Sequence, residues 1–476
     1  MNLRPSLARW GRAVLLCAAV AACSCGASED PTNVSVVIDA AVRHQTLVGF
    51  GAATAYQPKL LAGRNDDIYQ VLFVDSGLDI LRLGNWFQNG SQSTTPASPF
   101  TDQDGVQIVQ KATAARGGTP PKLLMSSWTP PAYLKSNGVT RPAPGNTTTP
   151  AGTLIQKDGA YAYADYADWW VRALQAYAAQ GIVPDYVSIQ NEPDFFTRYW
   201  ETCVFAATEG GMVEGIPGAG YGQALDAVYG AIQAAGLAAP PVLLGPETTG
   251  FGDNIVQKYM NGMNAAEIGG VAHHMYGTTE DNPAPDSFDG AMRDVARTGA
   301  SVALPTFMTE YSPNAPTMFD TALLINNAMT VEGASAYVYW ELIWSSATPQ
   351  TGLVAIDGFS ATAPYVINDL YYALKHFARW TDPDWYRVDA KSSASSVRAS
   401  AYVSPDGASA TLVLLNADDK DHFVTVDPGT FPFGTLTVYR TSDGASGSER
   451  AAAVALEGDG SVALPPRSIA TLTFTP

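Results

Sequence analysis

The sequence predicts an α/β fold: a (β/α)8 TIM barrel with an associated C-terminal β-sandwich. Three observations predict it. Short apolar, β-prone runs alternate with helix-like segments from about residue 47 to about residue 380, and roughly eight such runs occur. Two of them end in a carboxylate close to a proline, and strand ends are where barrels of this class keep their chemistry. Beyond Trp385 the texture changes to short alternating or β-branched runs separated by Asp-Gly turns. A chain of 476 residues, 46% of them hydrophobic, is long enough for one large barrel and a smaller domain.

Residues 1–25 read as a signal peptide. Arg4, Arg9 and Arg12 precede an apolar run over 13–22, too short to span a bilayer as a stable helix. Val20-Ala21-Ala22-Cys23 resembles a bacterial lipobox, in which Cys23 would be acylated and become the mature N-terminus. Ordinary secretion with cleavage near Ala22 or Ala27 is the alternative. The expectation is an exported chain, secreted or held at a bacterial cell surface or outer membrane, that meets a membrane only through an N-terminal lipid. The whole chain carries a formal charge of -18, and losing the leader removes three arginines. Such acidity excludes a nucleic-acid partner, because phosphate binding needs a basic face. A monomer is expected. Cys17 leaves with the leader and Cys25 falls in the tether, so Cys203 reads as a buried free thiol rather than a nucleophile.

Residues 26–33 read as a flexible tether. The strand at 34–39 has no barrel partner, which assigns residues 34–46 to the sandwich; the barrel then spans 47–383 and the sandwich 384–476. The first barrel strand is read at 47–52, with Gly49 and Gly51 where the backbone passes close to a neighbour. Runs at 80–83, 122–126, 187–190, 242–245, 270–274, 306–309 and 336–340 continue the series. Helices are read at 161–179, 222–235 and 366–380. In the first, Trp169, Trp170, Ala173, Leu174 and Tyr177 recur at helical spacing, so the two tryptophans read as packing and not as a site. Sandwich strands are read at 397–403, 410–415, 423–426, 436–439 and 469–474, with turns at Asp406-Gly407, Asp443-Gly444 and Asp459-Gly460.

The run from Val187 reaches Gln190-Asn191-Glu192-Pro193. Proline cannot donate to a ladder and holds the preceding residue extended, so the strand must end there. Glu192 therefore stands at the barrel mouth beside Asn191, although such a residue can also merely cap a helix. Thr306-Phe307-Met308-Thr309-Glu310-Tyr311 repeats the logic, with Pro313 behind it. The two carboxylates are 118 residues apart, three βα units of roughly 39 residues, which places them on strands 4 and 7, facing each other across the mouth. Glycoside cleavage needs such a pair: one to protonate the leaving oxygen, one to attack or to activate water. Glu247 ends strand 5 and reads as a carboxylate outside the chemistry.

With these stretches in place the chain resembles glycoside hydrolase family 30, in the clan of retaining (β/α)8 glycosidases. Gly49-Phe50-Gly51, Arg82, the run from Ser127-Trp128 to Lys135, Gln190-Asn191-Glu192-Pro193, His274-Met275-Tyr276, Thr309-Glu310-Tyr311 and Trp340 match the family's pattern in order at barrel spacing. The resemblance covers most of the mature chain, including a C-terminal sandwich that takes an N-terminal strand. It implies that Glu192 is the general acid and then the base, and that Glu310 is the nucleophile. Asn191, Trp128, Tyr276, His274, Arg82, Trp340 and Trp344 form the implied substrate-binding set. Within it Asn191 would donate to the sugar 2-hydroxyl, Tyr276 would bond Glu310, and Arg82 would pair with it. Glu341 is read as lining the groove with Trp344, and His273 as a core histidine. The neighbouring charge is expected to raise the pKa of Glu192. No metal or organic cofactor enters this mechanism.

Members of the family cleave β-linked xylan, β-1,6-glucan, β-1,6-galactan or glucosylceramide. The run 327–340 looks most like the bacterial xylanase branch, which often reads a glucuronate side group through an arginine after strand 8. Residues 341–352 contain no arginine, so dependence on that group is not expected. The expectation is an endo-acting β-glycanase, β-1,4-xylan first and β-1,6-glucan or β-1,6-galactan next. A non-catalytic glycan-binding lipoprotein is the reading from another class, and the presence of both carboxylates speaks against it.

Overall fold

The computed structural model describes residues 32–475 apart from 89–99, 278–282, 316, 348–351, 430, 432–433 and 443–448. The leader with Cys23, the tether cysteine Cys25 and the Asp443-Gly444 turn lie outside the described residues.

Gly49–Ala53, Ile80–Gly84, Lys122–Ser126, Tyr186–Ser188, Val242–Gly250, Gly270–Tyr276, Thr306–Glu310 and Ala336–Tyr339 close in chain order into a barrel, numbered here as strands 1 to 8. Every neighbouring pair is parallel. Both faces of such strands are buried, which is why their runs are continuously apolar rather than alternating. Ile80, Leu124, Leu244, Phe307 and Val338 fill the interior. The outer faces meet helices such as Tyr163–Ala178, which buries Tyr166, Trp169, Trp170, Leu174 and Tyr177 on one side. The first strand needs its glycines: a Cβ at Gly51 would stand 2.4 Å from the carbonyl oxygen of Ile80.

Several elements differ from the sequence reading. Strand 5 runs on to Gly250, so Glu247 lies within it, and the helix read from 161 starts at Tyr163. Strand 4 stops at Ser188, so Gln190, Asn191 and Glu192 belong to the loop above it. The last helix is Asp369–Ala378, not 366–380. Tyr365–Ile367 is instead a short strand paired with Val354–Ile356, and its outward Val366 is 63% exposed. Asn368-Asp369 separates the two, with Asn368 at the N-cap of the helix, a start signal that the sequence reading passed over.

The sandwich is one ladder of nine strands among the described residues. Asn33–Thr46 lies inside it, antiparallel to Tyr386–Ser392 and parallel to His422–Asp427. Alternate residues Val34, Val36 and Ile38 point into the core. Val438 and Leu472 come from one end of the ladder and Val424 and Leu464 from the other, yet all four share that core, so the sheet folds over into two layers. Tyr386–Ser392, Arg450–Val454 and Val462–Leu464 are additional strands; the first alternates Tyr386, Val388 and Ala390 with Arg387, Asp389 and Lys391, a period-two pattern that the reading passed over, and the other two are short. The barrel's last helix is seated on the sandwich. His376 bonds Thr471 through Nδ1 and Thr441 through Nε2, both at 2.8 Å, and Trp380 stacks on Tyr439 with centroids 4.2 Å apart. Cys203 is a buried free thiol, pushed up to about 12 by burial, which suppresses thiolate chemistry. No helix among the described residues is long and apolar enough to cross a membrane.

Candidate active site

The C-terminal ends of strands 2, 4, 5, 6 and 7 bring five ionisable side chains together. Arg82 is at their centre and completely buried. Its Nη1 donates to Glu310 Oε2 at 2.5 Å, and its Nη2 donates to Asn191 Oδ1 at 2.6 Å and to Glu247 Oε1 at 3.2 Å. Five fixed donors on a planar fork make arginine the side chain suited to hold three acceptors at once. Because Asn191 Oδ1 accepts from Arg82, its Nδ2 is the atom left to donate. His274 Nδ1 lies 3.1 Å from Glu192 Oε1, and His274 Nε2 lies 3.9 Å from both Glu247 and Glu310. A carboxylate oxygen of Glu192 and one of Glu310 are within 4.8 Å of each other. The Tyr276 hydroxyl donates to Glu310.

The backbone is strained where it delivers two of these groups. Glu192 has φ 47° and Glu247 has φ 58°, a left-handed geometry that non-glycine residues pay about 1–3 kcal/mol to hold. The two are tied together, since the Glu192 amide donates to the Glu247 carbonyl at 3.0 Å. Asp194 accepts from the Thr249 amide at 2.8 Å and pins the same loop to strand 5.

Protonation follows from these contacts. Burial raises the Glu192 carboxyl, opposed by the His274 hydrogen bond and reinforced by the charge of Glu310, to about 7. Burial works against the His274 imidazolium, but Glu310 and the bond to Glu192 outweigh it and raise His274 to about 9. Burial would also raise Glu247; Arg82 and His274 overcome it and hold this carboxylate at about 2. One carboxyl thus keeps its proton near neutrality while another, close by, remains charged.

A cavity of about 700 Å³ opens above Glu192 and Glu310. Trp128, Tyr276, Trp340 and Trp344 line it, as the sequence predicts for residues at those strand ends. Arg82 and His274 do not reach the open space. Both are 0% exposed and lie behind the carboxylates, which corrects their assignment to the sugar-contacting set. Asn191 is buried between them and the mouth, at 4% exposure. Glu341 is also corrected: it is wholly buried, and its Oε1 accepts from the Tyr56 amide at 2.8 Å instead of facing the groove. His273 is the core histidine expected, bonded to Glu332 at 3.0 Å.

Sequence reading missed Tyr56, Trp86 and the structural part played by Glu247. Tyr56 meets Trp86, Trp128 and Trp340 edge-on at 5.5–5.7 Å, and Trp86 stacks on Trp128 at 5.7 Å. Arg82 lies 4.7 Å from the Trp128 ring centre, so Trp128 both lines the cavity and covers the buried cation. An aromatic residue within three positions of a barrel strand's end is the signal that finds Trp128 and Trp340, and it would have found Tyr56 and Trp86.

Comparison with known proteins agrees with this architecture. Residues 386–472 match the glycosyl hydrolase family 30 beta sandwich domain. The chain is similar to an endo-1,6-beta-D-glucanase of Neurospora crassa, 23% identical over 445 residues, which covers 84% of this chain and 85% of that protein. Its fold is similar to that of a glycoside hydrolase family 30 subfamily 8 xylanase from Clostridium acetobutylicum (TM-score 0.68, 22% identity, 94% of this chain and 100% of that one). It is also similar to that of a family 30 xylanase C from Talaromyces cellulolyticus (TM-score 0.72, 20% identity, 93% and 100%). The family 30 sandwich is thus carried on a closed eight-stranded barrel, the architecture of the family 30 enzymes to which the chain is similar, and the chain is a glycosidase.

Proposed function

We propose that the chain is a retaining endo-β-glycanase in which Glu310 attacks the anomeric carbon and Glu192 protonates the departing oxygen. The observation that carries this reading is the separation of the two carboxylates, with an oxygen of each within 4.8 Å of the other. Retaining enzymes hold theirs about 5–5.5 Å apart, whereas inverting enzymes leave roughly 6.5–9.5 Å for a water molecule. In the first step the Glu310 oxygen bonds to the anomeric carbon while the glycosidic C–O bond breaks and the Glu192 proton passes to the leaving oxygen. Once Glu310 is esterified its charge is gone. Glu192, now ionised beside the His274 imidazolium, takes a proton from water as that water attacks the same carbon, and the bond between that carbon and the Glu310 oxygen breaks, which frees the carboxylate. In this reading Asn191, whose oxygen is taken by Arg82, donates through Nδ2 to the sugar 2-hydroxyl, and Tyr276 and Arg82 hold Glu310 in line.

For the polymer we favour β-1,6-glucan over β-1,4-xylan, which reverses the order suggested by the run 327–340. The support is that the likeness to the Neurospora β-1,6-glucanase extends along most of both chains. The extra C5–C6 torsion of a 1,6-link also lets a chain bend into a cavity rather than lie across an open cleft. Xylan stays as the second reading on the strength of that run. Incubation with β-1,6-glucan, xylan, glucuronoxylan and β-1,6-galactan, followed by sizing of products, tests the choice. Mixed short oligosaccharides from β-1,6-glucan are expected; cleavage of xylan alone would reverse the order again. Glu310→Ala should lower turnover on whichever polymer is cut by about four orders of magnitude or more. Near wild-type turnover in that variant would refute the mechanism.

A further inference from the structure

The loop after strand 4 carries aromatic side chains that folding does not explain. Tyr199 is 82% exposed and Trp200 36% exposed, the former among the most exposed large rings of the described chain. They are not scattered: Phe195 and Trp200 have ring centres 6.3 Å apart, and Trp200 and Tyr199 have theirs 6.4 Å apart. All three line the cavity above Glu192 and Glu310. The loop that holds them is anchored at both ends. Asp194 accepts from Thr249, and the Phe205 amide donates to the Pro193 carbonyl at 2.8 Å. At the tip the Tyr199 amide donates to Thr197 Oγ1 at 3.2 Å. A contiguous apolar patch left in water beside a site marks a binding surface, and flat rings with a wet edge suit a partner that is apolar on its faces and polar at its rim.

We infer that Phe195, Trp200 and Tyr199 form a platform for the sugar rings on the leaving-group side of the scissile bond. The inference rests on the roles proposed above for Glu192 and Glu310. The acid must reach the leaving oxygen, and these rings stand on the same loop, the first of them three residues beyond it. Trp128 and Trp340, on strands 3 and 8, lie with Tyr56 around Arg82, which pairs with the nucleophile. The two aromatic groups therefore serve opposite sides of the bond. The C–H face of a β-linked pyranose is the ligand chemistry that matches such a platform, and it carries no requirement for a charged side group.

The test compares two substrates of one sugar: the polymer that the wild type cuts, and a β-disaccharyl fluoride whose leaving group has no ring. Tyr199→Ala, Trp200→Ala and the double variant are assayed on both, with melting temperatures recorded. The ratio of kcat/KM, polymer over fluoride, should fall roughly tenfold on loss of one well-placed ring and further in the double variant. Transfer of the glycosyl group to an added oligosaccharide acceptor should fall with it. An unchanged ratio in the double variant, or equal losses on both substrates at unchanged melting temperature, would overturn the inference. Full activity of Glu310→Ala on the fluoride would instead overturn the reading beneath it, and the inference with it.

Discussion

Arg82 organises the catalytic centre by occupying three acceptors that would otherwise repel one another, on Glu310, Asn191 and Glu247. Glu247 is the least legible of them in the sequence. Its place on strand 5 is visible, but its partners come from strands 2, 3 and 6, and no local spacing reports a contact between strands so far apart in the chain. Held at about 2, it stays anionic and balances Arg82 and His274 from below. Glu247→Gln should therefore lower kcat by about tenfold to a hundredfold with little change in KM, because the side chain cannot reach the cavity. It should also cost about 3 kcal/mol of stability in denaturant unfolding, since it leaves part of a buried cation uncompensated. The raised Glu192 carboxyl makes a second prediction. In the proposed role it is protonated when the glycosidic bond breaks, so kcat/KM should fall as pH rises through about 7. Its folded value lies above the ordinary one, so its ionisation opposes folding as pH climbs from about 4.3 to about 7. Glu192→Gln should consequently be more stable than the wild type at pH 8, with the gap closing toward pH 4. A pH–rate profile and unfolding curves at the two pH values check both statements.

At the scale of elements, barrel strands were readable because each is buried on both faces and so reads as a mainly apolar run without alternation, such as 123–125. The loop bearing Glu192 was readable from Pro193. What escaped were elements too short to carry a period, Tyr365–Ile367 and Arg450–Val454, and the strand Tyr386–Ser392, whose alternation of apolar and charged residues was there to be read. Tyr56 and Trp86 escaped because they stand singly in loops after strands 1 and 2. The strand Asn33–Thr46 makes an element-scale prediction. It lies inside the sandwich ladder, between two partners, and not at an edge. Ile38, 2% exposed in that core, should cost about 2–4 kcal/mol when changed to Ala. Denaturant unfolding with a probe in the sandwich reads it; a loss below about 0.5 kcal/mol would mean that the strand does not pack as described.

On the scale of the whole molecule, the barrel and the sandwich share a buried seam in which His376, Thr441, Thr471 and Trp380 interlock. Burial depresses the His376 imidazole to about 3, so this seam does not charge in the working range of the enzyme. The catalytic mouth lies at the strand ends, and its form does not depend on titration at the junction. The central claim is that Glu310 becomes covalently attached to the sugar while Glu192 handles the proton. A 2-deoxy-2-fluoro-β-glycosyl fluoride of the sugar that the enzyme cleaves slows release of that intermediate more than its formation, so peptide mass mapping of the inactivated protein tests the claim directly. One sugar per chain is expected, on the peptide containing Glu310, and none in Glu310→Ala. Labelling of Glu192 or Glu247, or inactivation with no adduct at all, would contradict it.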